Sequence, residues 1–225
     1  MSEALQRRIS TRAFLSTPVP RATIDDILKT ARRAPSGGNL QPWRVDVVTG
    51  DARQLVIDAV EKRLAEDPFG HESDFLVYPP KLHEPYRTRR YELGEEMYAL
   101  LGVPREDKPA RLAHLARNFR FFDAPVGMFF SLDTRFDKPQ WAHLGMFMMS
   151  IALLAEERGL ATCFQEAWAA KAKTVAGVLG TPDDMEIYCG MALGFADTEA
   201  PVNRLTSTRA SVEDFTAFRG FPEEG

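Results

Sequence analysis

Little in this chain of 225 residues could bind a metal or cross-link the fold. It has two cysteines, Cys163 and Cys189, with no CxxC pair, and four scattered histidines with no HExxH spacing. A zinc site or a disulfide framework is therefore not expected. An excess of positive charge is also missing. The 28 basic and 32 acidic residues give a formal net charge of −4, which argues against a general nucleic-acid surface. Long hydrophobic runs are absent as well: MSEALQRRIST has no apolar signal core, and the nearly apolar stretch 144–155 is too short to span a bilayer. The expectation is a soluble cytoplasmic protein that binds neither membrane nor nucleic acid.

What charge there is lies unevenly. Residues 1–44 hold Arg7, Arg8, Arg12, Arg21, Lys29, Arg32, Arg33 and Arg44 against Glu3, Asp25 and Asp26. Residues 213–225 hold Glu213, Asp214, Glu223 and Glu224 against Arg219. A basic head on an acidic protein suggests a local anion site, with a solvated basic helix face as the plain alternative.

Hydrophobic periodicity predicts alternating helices and strands in one domain, 1–225, of α/β or α+β type. Thr23 and Asp26 have capping-box spacing ahead of Ile24, Ile27, Leu28, Ala31 and Ala34. A strand is predicted over 43–48, then a helix capped by Asp51 with Leu55, Val56, Ala59 and Val60 inward. Residues 67–92 contain four prolines and no clear period, which suggests a lid or a segment ordered by a partner. Helices are predicted over 92–101, 111–118, 140–158 and near 171–179, and strands over 126–132, 160–165 and 187–195. The helix over 140–158 is apolar nearly all round, so it is either a core helix or a dimer interface. Ser211 and Asp214 repeat the capping-box spacing and predict a final helix carrying Phe215 and Phe218.

Three segments carry the chemistry. In Arg8-Ile9-Ser10-Thr11-Arg12, two guanidinium groups flank hydroxyls and can bind a phosphate bidentately, or can simply be solvated. In Ala34-Pro35-Ser36-Gly37-Gly38-Asn39-Leu40-Gln41-Pro42-Trp43, glycines permit close backbone approach to a flat ligand, while the plain reading is a helix C-cap and turn. The segment is not a P-loop, and no GxGxxG follows a strand, so a Rossmann site is not supported. The third segment, GLATCFQEAW at 159–168, leaves the apolar helix and offers backbone N–H groups at its turn.

Taken in order, RRISTRAF, APSGGNLQPW, GLATCFQEAW, GMALGFAD and the Asn203…Arg209 segment followed by SVEDF resemble the FMN-dependent nitroreductase family, in particular its nitrobenzoate-reductase-like subgroup. The resemblance implies an α+β fold with a mixed sheet flanked by helices, in an intertwined homodimer. It also implies a lid or insertion near 67–110, a C-terminal arm over 196–225 and two FMN sites at the subunit interface. Arg8, Ser10 and Arg209 would then hold the FMN phosphate and ribityl chain, and Arg12 would lie at the N1/O2 edge of the flavin. Pro35, Ser36, Asn39 and Gln41 would reach the flavin from the other subunit, and the backbone at Gln165, Glu166 and Ala167 would serve its N5 edge.

The implied activity is reduction of nitroaromatics, with quinones as a further acceptor class, by NADPH or NADH in a ping-pong cycle carried by flavin N5, with no catalytic side chain. Phe122, Tyr86, Tyr91 and Trp168, with Phe119 and Phe121, are candidates to line the acceptor pocket, and each is equally a core residue type. Arg87, Arg89 and Arg90 could attract a carboxylate-bearing acceptor. An Asn and a Lys that contact flavin in some members have no identifiable equivalents here. Reductive dehalogenation on the same fold and a non-catalytic flavin-binding module remain alternatives. Against the first, no glutamate over 84–108 is followed four residues later by the tyrosine of deiodinase-like lids.

Overall fold

The computed structural model describes residues 2–222; Glu223 and Glu224, at the end of the expected arm, lie outside them. A four-stranded sheet organises the chain in the order β1-β2-β4-β3, formed by Trp43–Thr49 (β1), Val126–Asp133 (β2), Ala161–Gln165 (β3) and Met185–Gly194 (β4). Among the described residues, the three pairings of this sheet are antiparallel, where a mixed sheet was expected.

Side-chain alternation gives the sheet two apolar faces. Val126, Met128, Phe130 and Leu132 of β2 point to one face, where they pack against α2 (Arg21–Ala31) and α6 (Lys138–Glu157). Phe129 points to the other, against α3 (Gly50–Glu66) and α7 (Ala172–Leu179). The register slips between Phe130 and Ser131, whose partners are Cys189 and Ile187, so Tyr188 is the extra residue of a bulge. That extra residue puts Ile187 and Cys189 in opposite cores, although a spacing of two would place them on one face of a regular strand. On the α3–α7 side, Phe121, Phe129 and Trp168 form an aromatic cluster with centroids 4.6–5.4 Å apart. Gly190 lies directly beneath it, because a Cβ there would collide with the Trp168 indole.

Several local expectations change. Thr23 lies inside α2, whose N-cap is Pro20 with no side-chain bond; the backbone fixed by that proline starts the helix three residues earlier. Helix α3 is preceded by Thr49, Asp51 falls in its first turn, and Leu55 is exposed. The proline-rich segment is irregular only over 67–85. Helix α4 (Tyr86–Leu100) begins within it, and its apolar residues were hard to read as a period because none is fully buried. Helix α5 (Lys108–Ala116) starts earlier than the apolar pattern indicates, on an Asp107 cap that accepts from the Ala110 N–H. At the tail, Asp214 accepts the Ser211 N–H, as in half a capping box, yet only a single turn forms. Phe215, Phe218 and Phe221 stay exposed, so no apolar face is buried to offset helix nucleation. Among the described residues, no helix is long and apolar enough to cross a membrane.

Candidate active site

The N-terminal helix α1 (Ser2–Arg7) is followed by an extended segment laid along the β3 end of the sheet. The Thr11 N–H donates to the Thr162 carbonyl at 3.0 Å, and Phe14 bridges Ala196. Asn203 fixes this segment: its Oδ1 accepts the Arg12 N–H at 2.8 Å, and its Nδ2 donates to the Ala13 and Asp197 carbonyls, each at 2.8 Å.

These contacts shape a cavity of about 440 Å³ whose walls include Arg8, Ser10, Arg12, Leu93, Ser207 and Arg209. Three guanidinium groups therefore face one space, and none of them is in an ion pair among the described residues. Arg12 Nη1 donates to the Ser10 carbonyl at 3.1 Å, and Arg209 Nη1 donates to the Ser207 and Thr208 carbonyls, each at 2.9 Å. Arg8 differs, because its Nε and Nη1 are buried and have no acceptor. Burying guanidinium donors without an acceptor is unfavourable, and an anion with several oxygens removes that penalty. The residues present therefore fit a bound phosphate group.

At the C-terminal end of β3, where Gln165, Glu166 and Ala167 do not line the cavity, both polar atoms of the Gln165 side chain are engaged. Its Nε2 donates to the Asn118 carbonyl at 2.8 Å, and its Oε1 accepts from Trp168 Nε1 at 3.4 Å. Glu166 accepts from the Tyr188 hydroxyl at 3.1 Å, and burial followed by the Glu166 charge raises the Tyr188 pKa. Only the backbone of Gln165, Glu166 and Ala167 is left to serve a ligand, at the start of the 3₁₀ turn Glu166–Lys171. Burial pushes the Cys163 thiol up to about 11, so this cysteine is no thiolate nucleophile.

The loop carrying Pro35, Ser36, Asn39 and Gln41 lies elsewhere, against α6, and none of its residues lines the cavity. Its Asn39 and Gln41 side chains are exposed. Two of the expected acceptor-pocket residues are corrected. Phe122 and Trp168 are 1% and 0% exposed and belong to the aromatic core, which leaves no ring face for a substrate; Phe121 shares that core, and Phe119 packs edge-on against Trp168. Tyr86 and Tyr91 stand on α4 with half their surface exposed. Nearby, Arg87 pairs with Glu84 and Arg90 lies 4.3 Å from the Tyr78 ring centroid. The root of the 67–85 segment is pinned by the buried Lys171, whose Nζ donates to the Asp67 and Gly70 carbonyls at 2.9 and 2.8 Å.

Sequence reasoning missed Leu5, Gln6 and Leu93 in the cavity wall, and also the buried His114, whose ring contacts those of Tyr98 and Phe122 and whose Nε2 is unpartnered. A histidine at an inward position of α5 was the available signal for the last; nothing marked the other three.

A model of the nitroreductase family matches residues 5–195. The chain is 37% identical over 218 residues to a nitrobenzene nitroreductase of Ectopseudomonas oleovorans, covering 97% of this chain and 96% of that one. It is 37% identical over 217 residues to a 4-nitrobenzoate reductase of Pseudomonas putida, covering 95% and 93% respectively. The crystal structure of an FMN- and NADPH-dependent nitroreductase from Sphigopyxis sp. strain HMH superimposes with a TM-score of 0.95 at 45% identity, over 98% of this chain and 99% of that one.

Proposed function

The chain belongs to the nitroreductase family, and from that premise we propose that it is an NAD(P)H-dependent FMN oxidoreductase that reduces nitroaromatic acceptors. The observation that carries the reading is the pair of buried, acceptor-less donors of Arg8 in a cavity shared with Arg12 and Arg209. FMN, when bound, supplies the redox chemistry between the nicotinamide donor and the acceptor.

The chain's own residues bind and orient. Arg8 and Arg209 hold the phosphate, and Ser10 hydrogen-bonds the phosphate or ribityl chain. Arg12, its backbone fixed by Asn203, places a cation at the N1/O2 edge, where negative charge is favoured in the reduced cofactor. The backbone at Gln165, Glu166 and Ala167 borders the N5 edge. Of the aromatic residues expected to line the acceptor pocket, Tyr86 and Tyr91 on α4 are exposed and open to an acceptor.

The active form in this reading is a homodimer. Helix α6 turns one face to the core and leaves Ala142, Gly145 and Met146 exposed on another. An apolar face of this kind favours burial by a second copy. The partner then brings its own Pro35, Ser36, Asn39 and Gln41 to the flavin, which accounts for a loop that does not reach the cavity of its own chain. The expected C-terminal arm is consistent with this assembly, since Phe215, Phe218 and Phe221 are exposed.

An anaerobic absorption titration tests the reading. The purified protein is expected to show flavin bands that bleach with NADPH or NADH and recover on adding 4-nitrobenzoate. A colourless protein that takes up no added FMN would overturn it. Bleaching without recovery would point instead to a flavin-binding module that does not turn over nitro acceptors.

A further inference from the structure

Helix α6 carries one histidine, His143, and its ring is bonded to a loop. The Gly37 N–H donates to His143 Nε2 at 3.3 Å. A ring nitrogen that accepts carries no proton, so the proton of the neutral imidazole sits on Nδ1. That Nδ1 is buried and has no hydrogen-bond partner. The approach is close: a Cβ at Gly37 would stand 3.2 Å from His143 Cε1, so the ring would have to yield by a few tenths of an ångström. One turn further along α6, Phe147 stacks on Trp43 with centroids 4.5 Å apart and planes 7° apart. Residues at i and i+4 share a helix face, so His143 and Phe147 grip the entry and exit of the loop on one face of α6.

Between these anchors the loop closes on itself. The Asn39 N–H donates to the Ser36 carbonyl at 2.9 Å, and the Gln41 N–H donates to Ser36 Oγ at 3.0 Å. Asn39 and Gln41 have φ of 57° and 49°, in the left-handed region that asparagine tolerates and glutamine adopts at a cost. Stacking of Phe147 on Trp43 is apolar and weakly directional. The bond from Gly37 to His143 is directional, and it acts beside the residues whose backbone is strained.

Resting on the reading that loop 35–41 reaches the flavin, we propose that His143 is a positioning residue whose Nε2, as hydrogen-bond acceptor, fixes the conformation of that loop and so sets the FMN affinity of the assembled site.

The test uses the full-length chain with and without FMN. His143→Leu keeps bulk and removes the acceptor, whereas His143→Gln restores a side-chain oxygen near the position of Nε2. In the FMN-free protein, amide exchange of the peptide spanning residues 36–41 is expected to be about tenfold faster in His143→Leu and within about twofold of wild type in His143→Gln. The FMN dissociation constant, read from quenching of flavin fluorescence, is expected to follow the same order, about tenfold weaker for Leu and near wild type for Gln. Equal exchange in all three proteins, equal impairment of Leu and Gln, or altered exchange with unaltered affinity each overturns the proposal. A wild-type chain that takes up no FMN at all overturns the functional reading instead, and is told apart because exchange in the FMN-free protein still reports whether His143 holds the loop.

Discussion

The backbone N–H of Arg12 is held by the side chain of Asn203 at 2.8 Å, and the same amide reaches the Ala13 and Asp197 carbonyls. One side chain thus joins the first strand-like segment of the chain to the turn after β4 and sets where the Arg12 guanidinium starts. Asn203→Ala leaves one donor and two acceptors without that partner. It is expected to lower the unfolding free energy by about 2–4 kcal/mol and to weaken FMN binding. Urea denaturation of the FMN-free protein and a flavin titration check the two effects separately.

Arg8 should behave in the opposite way with respect to stability. Its Nε and Nη1 are buried without acceptors, so Arg8→Met removes unsatisfied donors from the cofactor-free protein. The melting temperature of the apo-protein is expected to hold or rise, while FMN affinity falls by about tenfold to a hundredfold, the range for losing charge-assisted bonds to phosphate. Calorimetry of the apo-protein and a flavin titration supply the measurements. A fall in both quantities would show that Arg8 serves the fold rather than an anion.

The pH dependence of stability centres on His114. Burial first, then the charges of Arg117 and Arg12, lower its pKa to about 4. The unfolded chain, with an ordinary histidine pKa of about 6.5, binds the proton more readily than the fold does. The contribution is therefore complete above about pH 6.5 and is lost as the pH falls towards about 4. His114→Phe, which preserves ring packing between Tyr98 and Phe122, is expected to flatten the decline between pH 7 and pH 5. Urea midpoints of both proteins at the two pH values decide it.

Assembly can be probed on α6. Met146 is 47% exposed on the face turned away from the core. Met146→Glu is expected to yield a folded monomer by sedimentation and to abolish FMN retention, since the loop over 35–41 would lose the cavity it serves. A dimer that survives this charge would place the interface elsewhere.

How far the sequence revealed this molecule depended on where each signal was enforced. β2 and α6 were legible because their apolar runs are covered by the fold: 126–132 is buried throughout in β2, and Leu144, Phe147, Met148 and Ile151 are buried in α6. Helix α4 was placed too late because it buries no residue fully. The capping-box spacing at Ser211 was real as a local bond and insufficient as a helix, because Phe215 and Phe218 stay exposed and bury no apolar face against the fold. Arg8, Arg12 and Arg209 were legible as a set only through the order of the motifs, and the cavity they share needed the fold. Trp168 and Phe122 were misread because an aromatic near a site motif looks the same in a core. Their complete burial distinguishes the two, and for Trp168 so does the collision that a side chain at Gly190 would have with its indole.

The cavity that gathers Arg8, Arg12 and Arg209 also closes a long loop of the chain, since about 200 residues separate its first arginine from its last. Bringing two such distant segments together costs loop-closure entropy, which the contacts of the intervening fold must offset. The three guanidinium groups therefore share a space only where the segments carrying Arg8 and Arg209 are docked side by side.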